Sequence, residues 1–210
     1  MQQARHWGWV GYEMHLIDIF KTPVYKAELD LDIKKLELFC NAYKEKNEGR
    51  IVSNMGGYQS HNLPVMTKQQ PLRTLVEEIE HHAHLFAKEF INDTKQEMIN
   101  TWFNINGHRD FNMNHNHPGC DISGVFYVKT PVDCGNIVFV HPSADSLSYY
   151  CWEQQEKKEF NTYNSEEWWM DAVENVLYLF PGWLNHYVRP NNNKEEQRIS
   201  FSFNTRAKFR

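Results

Sequence analysis

After about residue 97 the chain stops looking helical and becomes a series of short, turn-bounded apolar runs, and that change constrains the fold more than any other feature. "INTWFNIN" alternates, with Thr101, Phe103 and Ile105 on one side and Trp102, Asn104 and Asn106 on the other. "DISGVFYVKTP", "GNIVFVHP", "ENVLYLFPG", "NHYVRP" and "QRISFSFNTR" come next, each bounded by Gly, Pro, Asn or Asp. Alternation with period two, broken by turn formers, is the pattern of antiparallel strands. Upstream the period is helical. "DLDIKKLELFCNAYKEK" reads as a helix capped by Asp30 or Asp32. "PLRTLVEEIEHHAHLFAKEFIND" sets Leu72, Leu75, Val76, Ile79, Ala83, Phe86 and Phe90 along one face. Helices first, then antiparallel strands, is an α+β layout with a sandwich or barrel in the C-terminal half.

The length of 210 residues suits one domain. Residues 1–13 differ in character from the remainder of the chain and read as an extension. Residues 14–210 read as a single unit, with helical support over 14–96 and a strand-rich core over 97–210. "HLIDIFKTPVYKAEL" is β-like, and "GRIVSNMGGYQSHNLP" is a loop. Residues 146–170 include "SLSYYCWEQQEKKEFNTYNSEEWW", too long for a hairpin. Its aromatics (Tyr149, Tyr150, Trp152, Trp168, Trp169) suit a lid that stacks on a substrate, or else an oligomer contact such as a homodimer or a satellite core.

Composition excludes several classes. With 41% hydrophobic and 14% aromatic residues the chain is globular. A net charge of −5, spread out, gives no nucleic-acid footprint. No apolar run approaches the ~18 residues of a membrane span, and the N-terminus has no signal-peptide pattern. Four cysteines without a CxxC point to reduced thiols and a cytoplasmic location.

The chemistry sits in "FNMNHNHPGCDISGVFYV". On a strand, residues i and i+2 face the same way, so His115 and His117 can converge on one point. Neutral imidazoles are common metal ligands. Alone, the pair fits a polar strand better than a metal chelate. Downstream, His186 comes after a strand and a Pro-Gly turn, and Arg198-x-Ser200 lies on the next strand. Ligands on one side of a metal leave the other positions open for oxygen and a cosubstrate. An arginine deeper in a barrel can grip a dicarboxylate in a bidentate pair, with a serine hydroxyl beside it. His81, His82 and His84 are accounted for by the helix face that carries them, and His141 by a solvated loop.

These residues resemble the Fe(II)- and 2-oxoglutarate-dependent oxygenase superfamily, and within it a prolyl-hydroxylase-like set of bacterial and phage proteins. The likeness rests on "IFKTPVY", "NMGGYQS", "WFNINGHRDFNMNHNHPGCDISGVFYVKTP", "GNIVF" and "LFPGWLNHYVRP" with "QRISFSFN", and covers most of the chain from Met14 onward. It implies a double-stranded β-helix (a jelly roll, cupin-like) with N-terminal helices packed against it. It implies Fe(II) at His115 and His186 with a third ligand at position 117. Arg198 and Ser200 resemble the superfamily's contact to the 2-oxoglutarate side-chain carboxylate, and Tyr127 the tyrosine placed against that carboxylate. The implied reaction is hydroxylation of an unactivated C–H bond by O2, on a peptide or protein side chain or on a small molecule.

One departure matters. The superfamily's second ligand is Asp or Glu, and position 117 is His. Three histidines can form the site, Asp121 can supply the carboxylate, or one histidine can stand behind the other. The three-histidine site ranks first, because positions 115 and 117 occupy the His-x-acid slot. "HNHPGCD" and "PGWLNH" also resemble cupin motifs, which would use His115, His117, Asp121 and His186 together. A non-catalytic jelly-roll binding domain is the remaining alternative.

Overall fold

The structure is a computed structural model; it describes residues 15, 17, 19–65, 69–91, 93–149 and 159–208. The expected extension over 1–13 and the centre of the 146–170 insert, with Tyr150 and Trp152, lie outside them.

In chain order the elements are β1 (Tyr25–Glu28), α1 (Ile33–Lys46), β2 (Asn54–Met55), β3 (Tyr58–Gln59), α2 (Leu72–Phe90), β4 (Gln96–Asn106), β5 (Phe111–His115), β6 (Ile122–Lys129), β7 (Ile137–Val140), α3 (Ala144–Tyr149), β8 (Glu167–Met170), β9 (Val176–Pro181), β10 (His186–Val188) and β11 (Arg198–Ala207). The strands form a six-stranded sheet in the order β1-β9-β6-β11-β4-β3 and a five-stranded sheet in the order β2-β5-β10-β7-β8. Every pairing is antiparallel. From β4 on, the chain passes between the sheets at every step except β7 to β8, which is the winding of a jelly roll.

Period-two alternation divides the large sheet's side chains between two cores. Phe103 and Ile105 of β4, Ile122, Phe126 and Val128 of β6, Leu177 and Leu179 of β9, and Ile199, Phe201 and Phe203 of β11 pack with the helices. Val125 and Tyr127 of β6 and Tyr178 and Phe180 of β9 point the other way, into the space between the sheets with Ile137 and Phe139 of β7. Because the large sheet is covered on both faces, β9 reads as an unbroken apolar run, and β6 is buried from Ile122 to Val128 even at Ser123. The inner face of β11 is polar instead: Arg198, Ser200 and Asn204 are all buried there.

Helix α1 starts at Asp32, whose carboxylate accepts from the Lys35 backbone N–H at 3.1 Å, so Asp32 is the cap of the two candidates. Helix α2 buries Leu72, Leu75, Val76, Ile79, Ala83 and Phe86 as the spacing required, but its last turn turns inward on Ala87 and leaves Phe90 partly exposed. The stretch read as a loop holds β2 and β3, each two residues long and too short to carry a period. They pair in different sheets, and Gly56 and Gly57, at φ of 70° and 65°, make the crossing. A Cβ on Gly57 would lie 2.7 Å from the Ile105 carbonyl oxygen. No helix among the described residues is long and apolar enough to cross a membrane.

Candidate metal and cosubstrate site

Three histidines meet between the sheets. His115 ends β5 and His186 opens β10, and the two are direct partners across the antiparallel ladder. Directly opposed residues on a sheet share a face, and these two rings lie 4.4 Å apart between centroids. Strand β5 ends at His115, so His117 lies beyond the ladder rather than on the strand expected for it. It faces the same point all the same, its ring 4.9 Å from that of His115 and 5.2 Å from that of His186. Pro118 comes directly after it and disfavours helical backbone at residue 117, and the His117 N–H donates to the Gly182 carbonyl at 2.8 Å. Side-chain alternation thus continues one step past the strand.

Each histidine offers a ring nitrogen, and these nitrogens all lie within 4.8 Å of one another. Two tautomers are fixed by the backbone. The Nδ1 of His115 lies 2.7 Å from the Met113 carbonyl and that of His186 lies 2.9 Å from the Leu184 carbonyl. A carbonyl only accepts, so Nδ1 carries the proton and Nε2 is left with its lone pair inward. Burial pulls His186 down to about 3 and His117 down to about 4, with the neighbouring His115 adding to both, and burial lowers His115 as well. All three are therefore neutral near pH 7, the form that binds a metal. The donor set fits a divalent transition ion.

Behind the histidines a narrow cavity of about 30 Å³ runs inward between Trp102, Asn104, Tyr127, Arg198 and Ser200. The Arg198 guanidinium is buried. Its Nη1 donates to the carbonyls of Cys134, Gly135 (3.1 Å) and Arg189 (3.3 Å). Gly135 adopts φ of 84°, and a Cβ there would lie 2.2 Å from the Arg189 carbonyl oxygen, so only glycine lets these two segments converge on the arginine. Among the described residues, Nη2 of Arg198 has no hydrogen-bond partner, and neither does the Tyr127 hydroxyl, which burial pushes above its ordinary pKa. Ser200 sits opposite both Tyr127 and Asn104 on the neighbouring strands, and the Asn104 Oδ1 is also buried and unpartnered. Unsatisfied buried polar atoms are uncommon in native proteins, and the two donors among these, Arg198 Nη2 and the Tyr127 hydroxyl, suit an anion that completes them.

Asp121 is not part of the cluster. Its carboxylate accepts from the Ala207 backbone N–H at 2.7 Å, tying the start of β6 to the end of β11, so the four-ligand cupin arrangement is not formed. On α2, His82 is bonded to the Tyr25 hydroxyl (2.8 Å) and His84 to the Thr94 carbonyl (3.2 Å). His141 Nδ1 accepts from the Ser143 N–H at 3.0 Å. Trp168 and Trp169 of the insert stack on each other in β8, an edge strand of the smaller sheet. Arg50 and Gln59, which line a second cavity beside the histidines, were given no role by the sequence, although Gln59 falls within "NMGGYQS". Both come from the segment whose short strands left no pattern.

Residues 100–204 match the model of a family described as "Putative 2OG-Fe(II) oxygenase", which is half of the 210 residues. No curated protein sequence matches the chain. Among solved structures, a Pseudomonas putida prolyl-4-hydroxylase aligns with a TM-score of 0.63 at 12% identity, over 90% of this chain and 94% of that one. A Trichoplax adhaerens prolyl hydroxylase, in complex with a peptide fragment of the hypoxia inducible factor oxygen degradation domain, aligns at 0.56 and 12%, over 88% and 83%. HygX from Streptomyces hygroscopicus, with nickel and 2-oxoglutarate bound, aligns at 0.53 and 11%, over 90% and 84%. At these identities the structures speak for the fold, the jelly roll of 2-oxoglutarate oxygenases. The family match reaches further, and its span takes in the three histidines, Tyr127, Arg198 and Ser200: the chain belongs to the Fe(II)- and 2-oxoglutarate-dependent oxygenases.

Proposed function

We propose that His115, His117 and His186 hold the Fe(II), and that Arg198, with Tyr127 and Ser200, takes the far carboxylate of 2-oxoglutarate. One observation carries this reading: the histidine cluster adjoins a cavity whose far end holds an arginine Nη2 and a tyrosine hydroxyl without partners. When bound, the iron supplies the oxygen chemistry that hydroxylates a C–H bond, with 2-oxoglutarate converted to succinate and carbon dioxide. The chain's own work is ligation, orientation and exclusion of water. The Met113 and Leu184 carbonyls orient two imidazoles, and Phe139 and Phe180 wall off His186. Because the cavity is narrow, an incoming dicarboxylate draws the Arg198 guanidinium away from the carbonyls that hold it. Three neutral ligands bring no negative charge, so the cosubstrate's carboxylates balance the metal's charge.

For the substrate we favour a peptide or protein side chain, supported by the fold likeness to prolyl hydroxylases. The described cysteines are free, which suits a cytoplasmic enzyme. We treat residues 14–210 as one catalytic unit. The test is an anaerobic visible spectrum, adding Fe(II) and then 2-oxoglutarate. A new charge-transfer band that is lost in Arg198→Met supports the reading. Iron binding without such a band overturns the placement of 2-oxoglutarate.

A further inference from the structure

His115, His117 and Trp102 line two cavities, not one. The inner cavity ends at Arg198. The outer one, about 350 Å³, opens on the other side of the same histidines and has an arginine of its own, Arg50. Arg50 is held in place. Its backbone N–H donates to the Gln59 carbonyl at 2.8 Å, its Nη2 donates to Asn62 Oδ1 at 2.9 Å, and its guanidinium carbon lies 5.8 Å from the centre of the Trp102 ring. Trp102 is in turn 5.8 Å from the His117 ring, so a single indole separates the guanidinium from the metal-facing histidine.

What Arg50 lacks is an acid. Among the described residues no carboxylate pairs with it and no Asp or Glu lines the outer cavity, whose other polar walls are mainly amides such as Asn100, Asn114 and Asn204. The chain as a whole carries a net charge of −5, so its acids are placed elsewhere. Its Nε is buried without a partner, as is Oε1 of Gln59, which is only 2% exposed and lines the same groove. A donor and an acceptor are both left open at the wall. The rim is apolar and exposed: Val52 is 60% and Met113 43% exposed, and both border the groove. A fixed cation, open amides and an apolar lip together match an extended peptide with an acidic side chain.

We propose that the outer cavity is the subsite for the primary substrate, and that Arg50 selects a peptide carrying an Asp or Glu beside the residue to be hydroxylated. This rests on the reading that the three histidines hold the metal and that the inner cavity takes 2-oxoglutarate. Arg50 binds substrate here and takes no part in the chemistry.

Two synthetic peptide pools test it, identical except that every Asp and Glu of the first is Asn or Gln in the second. The Fe(II)- and 2-oxoglutarate-loaded protein is first checked for its charge-transfer band, then mixed anaerobically with fluorescent pools to measure binding. Oxygen is then admitted and a mass gain of one oxygen is recorded. The acidic pool is expected to bind about 10–100-fold more tightly than the amide pool, the range for a charge-assisted hydrogen bond. Arg50→Gln should abolish that preference through peptide KM, and Arg50→Lys should keep it in weaker form. Equal treatment of both pools by the wild-type protein, or a preference that survives in Arg50→Gln, overturns the proposal. Arg50-dependent binding of free small carboxylic acids, with neither pool bound, overturns the peptide and leaves the anion site. Absence of the charge-transfer band, read before any peptide is added, sinks the underlying site reading and this inference with it.

Discussion

His115 and His186 face each other directly across the β5–β10 ladder, with ring centroids 4.4 Å apart. Two candidate ligands placed by one backbone register are positioned by hydrogen bonds that form whether or not metal is present. The site is then largely preformed, and its loss should be separable from loss of fold. His186→Ala should lower Fe(II) affinity by more than the ~10–100-fold that losing an outer-shell partner of a ligand costs. Far-UV circular dichroism should stay that of the wild type. Equilibrium dialysis checks the first statement, and unchanged iron affinity would exclude His186 as a ligand.

Asp121 gives the opposite pattern. Its carboxylate accepts from the Ala207 N–H and lies outside the histidine cluster. Asp121→Ala should leave metal stoichiometry and affinity unchanged while lowering stability by about 1–3 kcal/mol, the cost of an orphaned buried donor. Urea unfolding and metal titration on one preparation distinguish this from a ligand role, in which metal binding collapses.

Much of this was legible because periods and spacings are local. The alternation of Thr101, Phe103 and Ile105 against Trp102, Asn104 and Asn106 identified the two faces of β4, and the structure packs Phe103 against the helices and Trp102 beside His117. The convergence of His186 on His115 was not local. It depends on a register between strands about seventy residues apart, and resemblance to a family supplied it where spacing could not. What stayed hidden was what lacks period or length. β2 and β3 are two residues each, and Arg50 is an ordinary loop arginine until Asn62 and Trp102 close around it. The end of β5 at His115 was hidden for a similar reason, since a strand and an extended pre-proline step look alike in sequence.

The inner cavity predicts a trade between stability and cosubstrate binding. The Tyr127 hydroxyl is fully buried without a partner, a cost in the protein free of 2-oxoglutarate. Tyr127→Phe should raise the thermal midpoint of that form or leave it unchanged. The same substitution should raise KM for 2-oxoglutarate by about 5–10-fold, the loss of one hydrogen bond. A variant that is destabilised and binds 2-oxoglutarate normally would show that the hydroxyl has a structural partner instead. Arg198→Lys should be far more severe toward 2-oxoglutarate, because an ammonium cannot reproduce the guanidinium's fork.

Gly182 holds His117 through its backbone alone. Its carbonyl accepts the His117 N–H at 2.8 Å. A Cβ on Gly182 would lie 2.7 Å from the Cys120 carbonyl oxygen and 2.6 Å from Cys120 Sγ, so Gly182→Ala must push the 117–120 turn outward. Overpacking of this kind destabilises by about 1–3 kcal/mol, and here the displaced segment bears the proposed ligand His117. Metal affinity should fall together with stability. Cys120→Ala removes the clash with sulfur but not the clash with the carbonyl, so the double variant should recover part of both losses and not all. The cycle is read by metal titration and urea unfolding. Wild-type metal affinity in Gly182→Ala would mean that His117 does not ligate the metal, or that the turn moves without carrying the imidazole.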